Sequence, residues 1–390
     1  MKYPKIDFLL RLLGLGLTAS LSLSGCAAIT GIGKDNTPAP SPLVNFQPQL
    51  HPHQVWSTRA GKGTDEQYLN LVPAINGNAV FTADYKGNVT ALDLQSGKKL
   101  WQTDLEIPLI AGPGVGQGIV LVGNSQASLI ALNQSNGKTL WHTTLSNQII
   151  APPVIADDMA IIKTLDGQLW AINLSNGSMI WRQGHNVPFM VLSGGSRPQV
   201  VGNKIIIGYA DGKLDAYSLQ GKLLWEIAVA QPQGASDVEQ MVDIVADPKI
   251  SGNTIYVVTY QGNLTAVNTD TGNVIWQQPL SSYSGLALSN QAVFVTDAAG
   301  IVRAYNRGNG QLLWQQDNLK YRKLTAPVVV GNSIVIGDGE GYLQFLSQSD
   351  GSVIGRETLD KNTPIMTAPI VNGKNIYVLD SDGLAANYSL

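Results

Sequence analysis

Few residues of this chain could hold a metal or attack a substrate. Its 390 residues include four histidines, at positions 51, 53, 142 and 185, and a single cysteine, Cys26. Zinc sites draw His and Cys ligands from short, regular separations. These histidines show none, and they are expected to be solvated loop residues. A lone cysteine forms no internal disulfide. Asp338-Gly339-Glu340-Gly341 and Asp380-Ser381-Asp382-Gly383 superficially look like calcium loops, yet both coincide with a turn that recurs along the chain. The turn explains them without a metal. No Ser-His-Asp or Cys-His arrangement with a local motif stands out. The expectation is a chain with no catalytic residue, no metal and no cofactor.

The stretch that recurs runs from Gly87 to Trp101, GNVTALDLQSGKKLW. Its copies are anchored at Gly87, Ala127, Gly167, Gly212, Gly262, Gly300, Gly341 and Gly383. A second glycine follows in seven of them, and a tryptophan closes the unit at positions 101, 141, 181, 225, 276 and 314, with Gly355 in its place in the seventh. A glycine behind a polar residue supplies the positive φ of a tight hairpin. The alternation after it is a two-faced strand. An Asx or Ser with the second glycine makes another turn, and the strand that follows ends in a large aromatic to bury. With the pair of short strands upstream, each copy is a four-stranded antiparallel meander. Copies about 42 residues long have the period of a propeller blade.

The ends of the chain complement each other. The eighth copy stops at Leu390 without its Trp strand, while Trp56 precedes the first copy without an anchor. The predicted fold is therefore all-β: an eight-bladed β-propeller of four-stranded antiparallel blades over residues 51–390, its ring closed by an N-terminal strand that completes the last blade.

Anchor spacings of 40, 40, 45, 50, 38, 41 and 42 single out two adjacent overlong copies. Both insertions fall after the Trp strand, at residues 184–199 and 229–248, so they should emerge side by side on one face. Loops this long are usually functional. The first carries Phe189, Met190, Val191 and Leu192, then Gly194, Gly195 and Arg197; the second carries Asp237, Glu239, Asp243 and Asp247 around Met241 and Val242. Apolar residues and Arg inside a polar rim make up a protein–protein contact. The alternative is that the apolar residues tuck under the loops as satellite core. Trp170 lies outside the closing position and matches Thr90, Ile130, Asp215, Thr265, Arg303 and Gln344. Such polar matches predict a strand face that is not uniformly buried; Trp170 either forms a second contact surface or fills a gap between blades.

At the N-terminus, Lys2, Lys5 and Arg11 precede an apolar run, Leu12 to Leu23, that is too short to span a bilayer, so residues 1–25 read as a secretory signal peptide. Residues 26–50, with Pro38, Pro40, Pro42 and Pro48, read as an extended, flexible tether. Removing residues 1–25 takes away three bases and one acid, moving the formal charge from -3 to about -5. Nothing basic enough for nucleic acid remains.

Leu23-Ser24-Gly25-Cys26 resembles the lipobox of bacterial lipoproteins, which implies acylation of Cys26, and Ala27 after it implies sorting to the outer membrane facing the periplasm. ALDLQSGKKLW, AINLSNGSMIW and AVNTDTGNVIW resemble the quinoprotein repeat of PQQ-dependent alcohol dehydrogenases. Eight such repeats behind a lipobox resemble the BamB family, lipoproteins of the outer-membrane β-barrel assembly machinery. That resemblance implies a non-catalytic propeller that binds the periplasmic POTRA domains of BamA within the barrel assembly complex, with unfolded outer-membrane clients as further partners. VPFMVLSGGSRP resembles the family's docking loop and implies contacts at Met190, Leu192 and Ser193. The family often has Arg at the last of these, and here Arg197 stands four residues on. Asp243 matches a family acidic position whose usual companion is Val245 here. The alternatives are a PQQ-dependent dehydrogenase-like quinoprotein, which would want a Cys pair this chain lacks, and a propeller for other periplasmic or cell-wall ligands.

Overall fold

The computed structural model describes residues 38–390 except Glu66 and Ser193; Cys26 and the signal segment lie outside them. Within the unit Pro40–Leu390, the described residues form eight antiparallel sheets. Blades 1 to 7 follow chain order. Blade 3, for example, is Val154–Ala156, Met159–Lys163, Gln168–Asn173 and Met179–Gly184, and blade 4 is Gln199–Val201, Lys204–Gly208, Lys213–Ser218 and Leu223–Ala228. Blade 8 takes Ile370–Asn372, Asn375–Leu379 and Leu384–Ser389 from the C-terminus and His53–Arg59 as its outer strand, with Arg59 opposite Leu384 and His53 opposite Ser389. The ring is closed as the sequence predicts. Blade 2 carries in addition a two-residue parallel strand, Asn70–Leu71, against its inner strand Leu109–Gly116.

The tryptophans and second glycines are two halves of one joint. Trp101 Nε1–H donates to Gln134 O of the next blade at 2.9 Å, and a Cβ on Gly137 would sit 2.5 Å from the Trp101 ring. The same pairing joins Trp56 to Gly97, Trp141 to Gly177, Trp181 to Gly221, Trp225 to Gly272, Trp276 to Gly310 and Trp314 to Gly351. Each turn must therefore be glycine for two reasons: its φ is positive, and the indole of the blade before lies on it. This explains Gly355. Blade 8 has no such turn, because its third and outer strands come from opposite ends of the chain, so a tryptophan at 355 would find nothing to dock on. Leu50 lies there instead, its carbonyl 3.2 Å from where a Gly355 Cβ would stand.

Leu50 arrives there as part of a strap. Ser41 N–H donates to Lys320 O (3.0 Å), and the N–H groups of Gln49 and Leu50 both donate to Ile354 O (2.9 and 3.0 Å). Val44 and Phe46 pack beside Leu319, Leu324 and Val353. Arg356 lies over the Phe46 ring and donates to Val44 O. Arg322, 2% exposed, donates to Asp338 Oδ2 (2.9 Å), Ser41 O (2.9 Å) and Glu340. Residues 41–50, proline-bearing and tether-like by composition, are thus tied along the ring by arginines far away in sequence.

The anchor turn takes the expected left-handed conformation at Gly87, Gly167, Gly212, Gly300, Gly341 and Gly383, and at Ala127. In blade 5 the positive φ moves to Gln261; Gly262 is required there for space, since a Cβ would lie 2.1 Å from Thr259 Oγ1. Before the turn stands a cap whose side chain accepts from the backbone two and four residues on, as Asn124 does from Gln126 and Ser128, and Asp380 from Asp382 and Leu384. The second oxygens of Asp84, Asp297 and Asp338 find Lys62 N–H, Arg303 and Arg322. Asp380 Oδ2 has no partner among the described residues, and burial pushes this carboxyl up to about 6. A carboxyl with a raised folded pKa is favourable at low pH and loses that advantage as the pH climbs through 6. Asp380→Asn, which copies Asn124, is expected to raise the denaturation midpoint at pH 7, with the gain fading to nothing near pH 4.

Trp170 is buried and packs with Leu121, Ile149, Ile162 and Ile172, filling the space between blades 2 and 3. The strand face is more buried than its polar matches predict: Thr90, Asp215, Thr265 and Gln344 are all fully buried, and of the matched residues Arg303 alone is half-buried. Most of that polarity is met internally, Thr90 Oγ1 donating to Ala60 O at 2.7 Å and Gln344 bonding both Asp338 and Arg356, while Asp215 Oδ1 has no hydrogen-bond partner among the described residues.

Candidate docking site

The two long loops follow the outer strands of blades 3 and 4 and lie against each other. Leu192 N–H donates to Asp243 Oδ2. Arg197 N–H donates to Asp247 Oδ1 at 2.7 Å, and its guanidinium pairs with Asp247 Oδ2 at 3.1 Å. Two backbone amides of one loop are thus fixed by two carboxylates of the other, bonds stronger than neutral ones. Phe189 and Met190 are exposed, whereas Val191, Leu192 and Arg197 are half-buried; Ser193 lies outside the described residues. Asp243, only 2% exposed, faces inward. Its place in the site is beneath the surface, holding Leu192.

Each loop has its own footing. In the second, Ser236 and Glu239 form a capping box: Glu239 accepts from the Ala235 and Ser236 N–H groups, and Ser236 Oγ accepts from Glu239 N–H. That single turn leaves Val238 exposed, and the displaced Gln261 of blade 5 braces it, donating to Val238 O at 3.1 Å. Val242 and Ile244 are buried below, Ile244 lying where a Cβ on Gly208 would come within 2.3 Å of it. The first loop is also reached from the inner edge of blade 2 by Asn70, which donates to Ile150 O (2.6 Å) and Gly195 O (3.2 Å).

His185, at the root of the first loop, is the one histidine that is not solvent-exposed, although His53 and His142 lie on strands rather than in the expected loops. His51, His53 and His142 are exposed. The His185 ring stacks on Tyr209 with centroids 3.8 Å apart, its Nε2 2.9 Å from Asp211 and its Nδ1 3.2 Å from Asp215. Burial lowers its pKa, but hydrogen bonds and charge from Asp211 and Asp215 outweigh that and lift it to about 9. His185, Asp215 and Glu226 lie close enough together to suggest a cation. Both ring nitrogens of His185 are already engaged by Asp211 and Asp215, and Glu226 takes Lys213 at 2.8 Å. The cluster is an ion-pair clasp. Because the folded pKa exceeds the free value, its contribution is complete below pH 6.5 and is lost as the pH passes 9. Protection factors at the root of the loop, taken relative to the intrinsic base-catalysed exchange rate, are expected to fall across that window, and His185→Phe, which keeps the stacking, to remove that fall.

No sequence pattern pointed to His185 or Asn70. The repeat propeller thus presents one interlocked, partly apolar pair of loops on adjacent blades. A model of the family described as "Outer membrane protein assembly factor BamB" matches residues 85–302 and again 298–389. The outer membrane protein assembly factor BamB of Legionella pneumophila (strain Paris) is 45% identical over 370 residues, 94% of this chain and 96% of that protein. The crystal structure of BamB from Moraxella catarrhalis superposes with a TM-score of 0.80 at 26% identity, covering 87% of this chain and all of that one. Quinohemoprotein alcohol dehydrogenase from Comamonas testosteroni, with a TM-score of 0.66 at 12% identity over 87% of this chain and 76% of its own, shares the fold alone. The chain belongs to the BamB family of outer membrane protein assembly factors.

Proposed function

We propose that this chain is a non-catalytic scaffold of the β-barrel assembly complex, anchored by lipid at Cys26 to the periplasmic face of the outer membrane. Its two long loops dock a POTRA domain of BamA. The observation that carries this reading is the interlocking of the loops through Asp243 and Asp247, which leaves Phe189 and Met190 exposed on a support that is already ordered. A pre-ordered surface loses little side-chain and loop entropy on binding. Apolar anchors within a rim of Arg197, Asp237 and Glu239 have the composition of a contact rather than of satellite core.

The test is a pull-down of residues 27–390 with the periplasmic region of BamA, alongside absorbance spectra with added PQQ and calcium. Binding without a quinone spectrum supports the reading. A bound quinone with dye reduction, or no capture of BamA by folded protein, overturns it.

A further inference from the structure

Lys163 ends the second strand of blade 3. Its counterparts in the other blades are Ala83, Gly123, Gly208, Val258, Thr296, Gly337 and Leu379, none of them charged. It is 4% exposed, donates to Gly208 O of blade 4 at 2.6 Å and lies 5.3 Å from the centre of the Tyr209 ring. Elsewhere an isoleucine of the incoming loop is seated on a glycine at this position: Ile149 on Gly123, Ile244 on Gly208 and Ile365 on Gly337, each within 2.7 Å of the Cβ that glycine lacks. In blade 3 the exchange is reversed. The strand supplies the long side chain and the loop supplies Gly194 and Gly195, where a Cβ on Gly195 would come 2.6 Å from Ile150 and 3.4 Å from Lys163 Nζ.

The reversal puts a cation where the other three joints have an aliphatic group. Lys163 and Asp243 line one cavity of about 20 Å³ beneath the loops, with Val191, Gly194 and Gly195. Asp243 Oδ1 has no hydrogen-bond partner among the described residues. We infer that Lys163 is a positioning residue for the docking surface, filling the space under Gly194-Gly195 of the first loop while its charge holds Asp243 of the second against Leu192. This rests on the docking function proposed above. Burial lowers the Lys163 amine to about 8, opposed by Asp243, Asp247 and Asp211. Burial raises the Asp243 carboxyl to about 6, opposed by the Leu192 N–H and Lys163 and reinforced by Asp211.

Lys163→Met keeps an unbranched side chain one atom shorter and removes the charge. The full mature chain would be compared with this variant and with Leu192→Asp by circular dichroism, amide exchange at Leu192 and Arg197, carboxyl titration of Asp243 by NMR, and capture of the periplasmic region of BamA. Expected for folded Lys163→Met are Leu192 exchange at least tenfold faster, an Asp243 titration displaced upward, and capture weakened at least tenfold. Unchanged exchange and titration overturn the inference, as does capture equal to wild type when Leu192→Asp has lost it. If Leu192→Asp also captures as well as wild type, the docking function falls and the positioning role falls with it. A variant that does not fold shows Lys163 to be a general core residue and equally overturns it.

Discussion

Leu192→Asp is expected to reduce capture of BamA by two orders of magnitude or more while circular dichroism keeps its wild-type form and the protein stays folded at the temperature of the assay. Leu192 is half-buried at the seam between the loops, and its N–H is held by Asp243. A carboxylate there removes apolar contact area and sets a second negative charge beside the buried Asp243. Losing a central interface anchor costs about 2–4 kcal/mol, and each 1.4 kcal/mol is about a factor of ten in affinity. Fold stability should hold because the core clusters of blades 3 and 4 do not include Leu192. Isothermal titration against the periplasmic region of BamA, with Leu192→Ala as the milder control, would check the size. Binding by a folded Leu192→Asp equal to wild type would move the contact to another part of the ring.

The largest effect on stability is expected from Arg322→Met. Arg322 is nearly fully buried, and Asp338, with which it pairs, is fully buried. Removing one partner of such a pair leaves a charge in the interior and costs about 3–5 kcal/mol. Arg322 also holds Ser41 O, so the strap should come free as well as the ring weaken. Urea denaturation would read the first consequence and limited proteolysis within residues 41–50 the second. The double variant Arg322→Met, Asp338→Asn should recover much of the midpoint without restoring protection of the strap. A single variant with an unchanged midpoint would mean that the guanidinium is not what compensates Asp338.

Much of this architecture is written locally. The blade count, the closing role of Trp56 and the adjacency of the two loops each follow from spacing, because a repeat imposes the same hydrogen-bond and packing geometry on every copy. What stayed hidden depends on partners far along the chain. Thr90 and Gln344 look like surface residues until Ala60 O and Arg356 are seen beside them. Pro42 and Pro48 suggest an unattached tether, but the groups that tie residues 41–50 down are Arg322 and Arg356. His185 has no local motif; its aspartates come from the neighbouring blade. Lys163 did leave a trace, the only charge in its column of the repeat, which becomes informative when the glycines facing it are read together with it.

The strap has a mechanical consequence. The strand that closes the ring is also the one nearest the N-terminus, so a pull on that end would by itself peel His53–Arg59 from Leu384–Ser389, one ladder bond after another. The strap intercepts the load. Tension from upstream of Ser41 meets the Arg322 clasp first, then the Arg356 contact with Phe46, then the paired bonds to Ile354 O, before any of it reaches His53. The ring therefore behaves as a load strung from a secured cord, with its closing seam unloaded until the cord has been torn away.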